Sequence, residues 1–141
     1  MKIKNGLITH PDGTKVWYLN DQLHREDGPA VEHPDGFKAW YLNDQLHRVD
    51  GPAVEYPNGT KEWWLNGQLH REDGPALERP NGSKTWCLNG KRHRINGPAY
   101  EHPDGTKEWW LNDESYDKIS YYNLMIELGH MTKTQAFAEM I

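Results

Sequence analysis

The sequence has little of three features that would each point to a particular class of protein. Its single cysteine, Cys87, excludes an intramolecular disulfide, which is typical of a reducing compartment. No apolar run approaches the roughly 20 residues of a membrane helix. A formal net charge of −5 provides no basic surface for nucleic acid or anionic lipid. These absences predict a cytoplasmic protein and argue against nucleic-acid and membrane partners.

What the chain does have is aromatic side chains, chiefly tryptophan and tyrosine. Only 35% of its 141 residues are apolar, but the 7 Trp and 7 Tyr supply large units of burial. The length suits one modest domain. We therefore expect a fold that packs on aromatic rather than aliphatic side chains.

The sequence is built from a repeat of 23 residues. Pro-Asp-Gly or Pro-Asn-Gly begins at 11, 34, 57, 80 and 103, without insertion. Residues 1–10 form half a unit, because Gly6-Leu7-Ile8-Thr9-His10 stands where later units have Pro-Ala-Val-Glu-His. We predict a repeat array over residues 1–112 and a separate cap over 113–141.

Each unit carries the signals of an antiparallel β-meander. Pro34-Asp35-Gly36 is a turn signal, residues 37–42 are β-forming, and Asn43-Asp44 is a second turn signal before residues 45–48. If the first turn is a three-residue loop, Glu32 lies opposite Lys38 and Ala30 opposite Trp40. The same pairs recur in every unit. The predicted fold class is an all-β array of hairpin and meander units in an elongated sheet, with a C-terminal α-helical cap.

Period-two alternation along each strand divides the array into two faces. One face is constant among units and carries a structural ladder, the Trp ladder, formed by Trp17, Trp40, Trp63, Trp86 and Trp109. The other, the variable face, carries Tyr18, Tyr41, Trp64, Cys87 and Trp110, flanked by positions that include Tyr56 and Tyr100. Stacking requires constancy, so we assign the Trp ladder to structure and the variable face to binding. The candidate binding residues are Tyr18, Tyr41, Trp64, Trp110, Tyr56, Tyr100, Arg25, Arg48, Arg71 and Arg94.

The order Trp-x-Leu-Asn-Gly-x-x-His-Arg-x-x-Gly-Pro-Ala, followed by Pro-Asp-Gly, resembles the MORN repeat over residues 6–112. More specifically, the sequence motifs HREDGPA and WWLNG resemble a variant of this repeat that occurs in repeat proteins of bacteria and large DNA phages. The resemblance implies an elongated antiparallel array that acts as an interaction surface, with no catalytic residues. The arginines of the four His-Arg pairs stand where the common MORN unit has glycine, and the prolines of Gly-Pro-Ala interrupt its Gly-x-Gly.

The His-Arg pairs admit more than one interpretation. Equivalent histidines lie roughly 10 Å apart if each unit adds two strands, which is too far for them to share a metal ion. The arginines are expected either to pair with Asp27, Asp50 and Asp73 or to form an anion-binding stripe. No nucleophile motif, P-loop or EF-hand pattern is present. We therefore predict no enzymatic activity, no metal and no cofactor.

After Asn112 the 23-residue repeat ends, and the apolar residues follow the spacing of an α-helix. Ile119, Tyr122, Met125 and Ile126 predict an amphipathic helix ending near Gly129. Thr132 and Gln135 predict a capping box that opens a second helix. We expect these helices to cap the array. An alternative is a docking or dimer surface formed by Tyr121, Tyr122, Met125, Phe137 and Met140.

The sequence therefore favours a non-enzymatic protein–protein interaction module. If its relatives are phage proteins, as the resemblance implies, the role would be that of an inhibitor or adaptor that binds a host or defence protein. Two alternatives remain: a nucleotide or anionic small-ligand module that uses the arginine and aromatic stripes, and a structural homo-oligomer joined through the C-terminal helices.

Overall fold

A computed structural model of the chain describes residues 2–141. Short strands fill the chain up to residue 116, and two helices follow. The elements are β1 (Gly6–Thr9), β2 (Lys15–Leu19), β3 (Gln22–Leu23), β4 (Val31–Glu32), β5 (Lys38–Ala39), β6 (Tyr41–Leu42), β7 (Gln45–Leu46), β8 (Val54–Glu55), β9 (Lys61–Glu62), β10 (Trp64–Leu65), β11 (Gln68–Leu69), β12 (Leu77–Glu78), β13 (Lys84–Thr85), β14 (Cys87–Leu88), β15 (Lys91–Arg92), β16 (Tyr100–Glu101), β17 (Lys107–Leu111), β18 (Glu114–Tyr116), α1 (Lys118–Glu127) and α2 (Lys133–Met140).

Each repeat contributes two strands to one main sheet and a short hairpin beside it. The main sheet has 12 strands and follows the order β1-β2-β4-β5-β8-β9-β12-β13-β16-β17-β18, with β3 paired to β2. The pairs β6-β7, β10-β11 and β14-β15 form separate two-stranded sheets. All neighbours that pair are antiparallel. The predicted fold class is confirmed.

The chain leaves the main sheet at Trp40, Trp63 and Trp86, whereas β2 and β17 run unbroken through Trp17 and Trp109. In the second unit the Trp40 amide donates to the Ala53 carbonyl (2.7 Å), and the Trp40 carbonyl accepts from the His47 amide (3.0 Å). Trp40 therefore joins β5 of the main sheet to the hairpin β6-β7. That hairpin turns at Asn43 and Asp44, whose φ angles of 49° and 64° fit a type I′ turn.

The predicted register is confirmed. Glu32 lies opposite Lys38 and Glu55 opposite Lys61, and the two later units repeat the pairing. Lys38 also lies opposite Glu55 of the next unit. Lysine and glutamate therefore alternate across the strands from Lys15 to Lys107, so each of these glutamates has a lysine opposite it on both neighbouring strands.

The three-residue loops that set this register close as expected. In the second unit the His33 amide donates to the Phe37 carbonyl (3.0 Å), and the Gly36 amide donates to the His33 carbonyl (3.1 Å). Gly36 has a φ of 101°, which an L side chain rarely adopts, and the Asp35 carboxylate accepts from the Phe37 amide (3.0 Å). Pro-Asp-Gly thus encodes the loop through one turn residue and one left-handed glycine.

The array continues further than the sequence indicated. The expected end at residue 112 falls inside the last hairpin, because Asn112 and Asp113 form its turn and β18 pairs with β17. The repeat therefore runs through Tyr116, and Asp117 begins α1 by accepting from the Ser120 amide. The sequence concealed this because the residues of β18 differ from those of earlier units.

The core consists of small side chains within the array and aromatic ones beneath the helices. Ala30, Ala53, Ala76 and Ala99 are fully buried. Tyr121, Tyr122, Met125 and Ala136 form a second buried cluster at the C-terminal end. The tryptophans of the Trp ladder are only half-buried. The alanines rather than the indole rings therefore fill the interior of the array.

Candidate functional site: the clefts between the repeated loops

The arginine of each His-Arg pair is fixed by several local contacts. In the third unit the Arg71 guanidinium carbon lies 3.8 Å from the centre of the Trp63 ring. Arg71 Nε donates to Asp73 Oδ1 (3.1 Å), and Nη1 donates to the Pro75 carbonyl (3.0 Å) and to Glu78 Oε1 (3.3 Å). A planar guanidinium can stack and donate at once, which an ammonium cannot. Two of the three guanidinium nitrogens, Nε and Nη1, are therefore already engaged within the chain.

The same contacts recur along the array. The corresponding stacked pairs are Arg25–Trp17, Arg48–Trp40 and Arg94–Trp86, at 3.8, 3.9 and 3.9 Å. Asp27 and Asp50 take the role of Asp73 in the first two units, whereas Asn96 replaces the aspartate in the fourth. The four units therefore share one arrangement of arginine, tryptophan and loop backbone.

The glycine of each Asp-Gly-Pro loop makes room for the arginine. A Cβ placed on Gly74 would stand 2.9 Å from Arg71 Cζ, closer than side chains approach one another. Equivalent distances at Gly28, Gly51 and Gly97 are 2.8, 2.9 and 2.8 Å. None of these four glycines has a left-handed φ. The requirement for glycine is therefore steric, and it accounts for the invariance of the Arg-x-x-Gly spacing within the chain.

The histidines join neighbouring units. His70 Nδ1 accepts from the Asn89 amide of the next unit at 2.9 Å, which requires an unprotonated Nδ1. The equivalent bonds are His24 to Asn43, His47 to Asn66 and His93 to Asn112, at 3.1, 3.0 and 3.1 Å. Burial lowers the pKa of His93, and the positive charge of nearby His130 lowers it further. Each histidine therefore acts as a hydrogen-bond acceptor between repeats.

Three equivalent clefts open between successive Arg-x-x-Gly loops, and we call them the cleft row. Their floors are a tryptophan of the Trp ladder and the leucine two residues later: Trp40 and Leu42, Trp63 and Leu65, and Trp86 and Leu88. Their volumes are about 750, 640 and 620 Å³ in that order. The clefts are thus similar in size, each has a floor of one tryptophan and one leucine, and they recur once per 23-residue repeat.

The rims of the clefts are formed by a position that varies from unit to unit. The residue after each His-Arg pair is Glu26, Val49, Glu72 or Ile95. Val49 is 85% exposed and Ile95 43% exposed, and the side chains of Glu26 and Glu72 are 84% and 83% exposed. Each cleft is therefore bordered by one acidic and one apolar residue, and their order reverses from one cleft to the next. Sequence reasoning missed these residues, although each is the changing position in an otherwise fixed His-Arg-x-Asp-Gly-Pro-Ala motif in the first three units.

The structure separates the candidate binding residues predicted from the sequence onto two faces. Arg71 stacks on Trp63, whereas Trp64 faces the opposite side, because successive side chains on a strand alternate. The arginines therefore belong to the Trp-ladder side together with the cleft row. The aromatic residues Tyr18, Tyr41, Trp64, Trp110, Tyr56 and Tyr100 remain on the variable face. A single site that combines both sets is not formed.

The variable face is more buried than expected in places. Val54 is 3% exposed and Cys87 4% exposed, so both belong to the interior. Burial raises the pKa of the Cys87 thiol to about 11, which leaves little thiolate at neutral pH. Trp64 is half-buried, and its Nε1 donates to Glu62 Oε2 at 2.9 Å. This face presents ordered aromatic side chains rather than a cavity.

The C-terminal helices cover the end of the array. The capping box of Thr132 and Gln135 is confirmed. Ile119 is 61% exposed, so its placement on the apolar face of α1 is wrong. Tyr121, Tyr122 and Met125 are almost completely buried against the array, which excludes them as a docking surface, while Met140 is half-buried and Phe137 is 57% exposed. The buried face of α1 differs from the predicted one because Tyr121 and Tyr122, rather than Ile119, pack against Trp109.

No family model matches the chain, and no curated protein matches it. Neither helix within residues 2–141 is long and apolar enough to cross a membrane.

Proposed function

We propose that the chain is a non-enzymatic, MORN-like protein-binding module that holds an extended segment of a protein partner in the cleft row. One observation carries the proposal: three similar clefts repeat at a fixed step, each with an aromatic floor, one acidic rim and one apolar rim. The constant floor supplies shape and apolar area, and the rims supply selectivity. The engagement of each His-Arg pair in structural contacts supports a binding role over a catalytic one.

The step of the row suits an extended polypeptide. Each repeat adds two strands about 4.8 Å apart, so successive clefts lie about 9.6 Å apart. A polyproline II helix has three residues per turn and advances about 9.3 Å per turn. A ligand in this conformation presents every third side chain to successive clefts, and aromatic-lined grooves are a known mode of binding such ligands.

The rims indicate the chemistry of that ligand. Glu26 and Glu72 favour basic side chains, and Val49 and Ile95 favour apolar ones. The net charge of −5 adds a favourable long-range field for a basic partner. Binding of this kind would allow the protein to inhibit or tether its partner, including a host or defence protein if the phage resemblance holds, in the cytoplasm.

Selection of random 12-residue peptides against the full chain tests the proposal. We expect enriched peptides to repeat basic or apolar residues at every third position. The double variant Glu26→Val, Glu72→Val should weaken the binding of basic peptides at least about tenfold, or about 1.4 kcal/mol, because it removes the acidic rims. Val49 already occupies the equivalent place in the second unit, so this variant should fold normally.

Trp64→Ala is the control for the opposite face and should retain peptide binding. If Trp64→Ala abolishes binding while the double rim variant binds like wild type, the partner uses the variable face and the cleft row is not the site. The alternatives have their own tests. An unchanged melting temperature with nucleotides and anions argues against the small-ligand module, and a monomer by light scattering at high concentration argues against the homo-oligomer.

A further inference from the structure

The variable face contains an acidic aromatic group that the cleft row does not use. Trp64 Nε1 donates to Glu62 Oε2 at 2.9 Å, and the Tyr56 hydroxyl donates to Glu62 Oε1 at 3.3 Å. Both oxygens of the carboxylate are thereby held beside two aromatic rings. A fixed carboxylate next to the electron-rich face of an indole is a suitable environment for a cation.

The same seven residues, Thr-Lys-Glu-Trp-Trp-Leu-Asn, occur a second time two repeats later and show what this environment accepts. Trp110 Nε1 donates to Glu108 Oε1 at 3.1 Å, and His102 Nε2 bonds to the other oxygen of Glu108. The guanidinium carbon of Arg92 lies 3.5 Å from the centre of the Trp110 ring. Arg92 Nε also pairs with Asp113 Oδ1 at 3.3 Å. The second copy therefore contains a guanidinium supplied by the chain itself.

The first copy lacks that guanidinium. Leu46 stands at the position of Arg92, as the pairing of Leu46 with Tyr41 and of Arg92 with Cys87 shows. Gly67 stands at the position of Asp113. Among residues 2–141, no lysine or arginine is stacked on Trp64, and Arg79 on the neighbouring strand makes no ion pair with Glu62. The two copies thus share the acidic aromatic frame and differ in the internal cation.

We propose that Trp64, Glu62 and Tyr56 form a binding site for an arginine side chain of a protein partner. The guanidinium would stack on Trp64 as Arg92 stacks on Trp110, and it would pair with the Glu62 carboxylate, whereas Arg92 pairs with Asp113. Guanidinium is the cation of choice because its plane matches an indole ring and its donors match a carboxylate. The site lies on the face opposite the cleft row, so it does not depend on peptide binding there.

A pair of short peptides tests the charge requirement directly. The probes are acetyl-Gly-Arg-Gly-amide and the same peptide with citrulline, which keeps the shape of arginine but has no charge. In ¹⁵N NMR spectra of the full chain, we expect the arginine peptide to shift the Trp64 indole signal in a saturable manner. The citrulline peptide should shift it at least about tenfold less at the same concentration. Equal shifts from both peptides, or no response of Trp64, would overturn the proposal.

A double variant transfers the internal cation of the second copy to the first copy. Leu46→Arg with Gly67→Asp reproduces the Arg92–Asp113 pair over Trp64, and we expect it to weaken the arginine response of Trp64 at least about tenfold. Gly67→Asp alone is the control, since Asp44 occupies the same turn position in another unit with a left-handed φ of 64°. Retention of the full response in the double variant contradicts the proposed site.

Arg92→Leu is the reciprocal variant, and its result can be interpreted even if the Leu46→Arg, Gly67→Asp variant does not fold. It introduces the residue found at this position in the first three units, as at Leu46. We expect the Trp110 indole, which should be silent in the wild type, to respond to the arginine peptide once Arg92 is removed. If Trp110 stays silent in Arg92→Leu, the acidic aromatic frame does not select a guanidinium.

Discussion

Arg71 covers one face of Trp63, with its guanidinium carbon 3.8 Å from the centre of the ring, and the two residues are eight positions apart in the sequence. Trp63, which lies between β9 and β10, and the loop that carries Arg71 belong to the same repeat. The contact therefore closes each unit on itself, while the His70–Asn89 bond connects it to the next. Cooperativity along the array depends on both kinds of contact.

Trp63→Ala should destabilise the protein more than Trp64→Ala. Trp63 is half-buried and supports the Arg71 network, so its loss should lower the free energy of unfolding by about 2–4 kcal/mol, toward the low end for tryptophan truncation. Trp64 is also half-buried but loses only one hydrogen bond to Glu62, and we expect about 1–2 kcal/mol. Urea denaturation followed by circular dichroism measures both. The opposite ranking would show that the Trp ladder is not the structural one.

Gly74→Ala should destabilise the protein by displacing Arg71. The new Cβ would stand 2.9 Å from Arg71 Cζ, and the cost should be about 1–3 kcal/mol, as for other overpacked contacts. The backbone at Gly74 does not require a positive φ, so the cost should depend on the arginine. A double-mutant cycle with Arg71→Ala checks this. If Gly74→Ala costs as much without Arg71 as with it, the steric explanation is wrong.

The fold could be predicted because its signals are local. Pro-Asp-Gly and Asn-Gly turns specify hairpins at fixed spacing, and the constancy of Glu32 and Lys38 among units specifies the register. The faces followed from alternation along the strands. Alternation did not predict which loop residues lie on each face. Arg71, for example, reaches the Trp63 side only because of the path of its loop.

The remaining errors have a related cause. Helical periodicity placed Ile119 on the buried face of α1, but Tyr121 is buried because its hydroxyl meets backbone groups of the fourth unit. The position of a helix relative to an array is a tertiary property that its own sequence does not encode. The rims of the cleft row were missed for the opposite reason: Val49 and Glu72 vary in the sequence, yet only the structure shows that they border a cleft.

Acidification should weaken the protein through His93. Burial and the charge of His130 hold the pKa of His93 below its usual value of 6.5. The unfolded chain therefore takes up this proton first as the pH falls, so the stability due to neutral His93 is present above about pH 6.5 and is lost below it. Protonation of Nδ1 would also break its bond from the Asn112 amide.

Melting temperatures between pH 7.5 and pH 5.5 measure this loss. His93→Asn keeps an acceptor near the position of Nδ1 but cannot titrate, so its melting temperature should fall less than that of the wild type. His130→Gln should reduce the loss in part, because it removes the second cause of the lowered pKa. A wild type and a His93→Asn variant with identical pH dependence would exclude His93 as the titrating group.

The helical cap should depend on one hydroxyl more than on its neighbour. The Tyr121 hydroxyl donates to the Arg94 carbonyl and accepts from the Gly97 amide, which is buried. Tyr121→Phe leaves both without a partner and should cost about 1–3 kcal/mol.

Tyr122→Phe is the matched control for this prediction. The Tyr122 hydroxyl accepts only from Trp109 Nε1, at 3.2 Å, and Trp109 is half-buried, so water can replace the lost partner at small cost. We expect its free energy of unfolding to fall by less than about 1 kcal/mol. Amide hydrogen exchange distinguishes the two variants further, because Tyr121→Phe should speed exchange of the Gly97 amide, whereas Tyr122→Phe should not. Equal protection of Gly97 in both variants would mean that the helices cap the array through apolar packing alone.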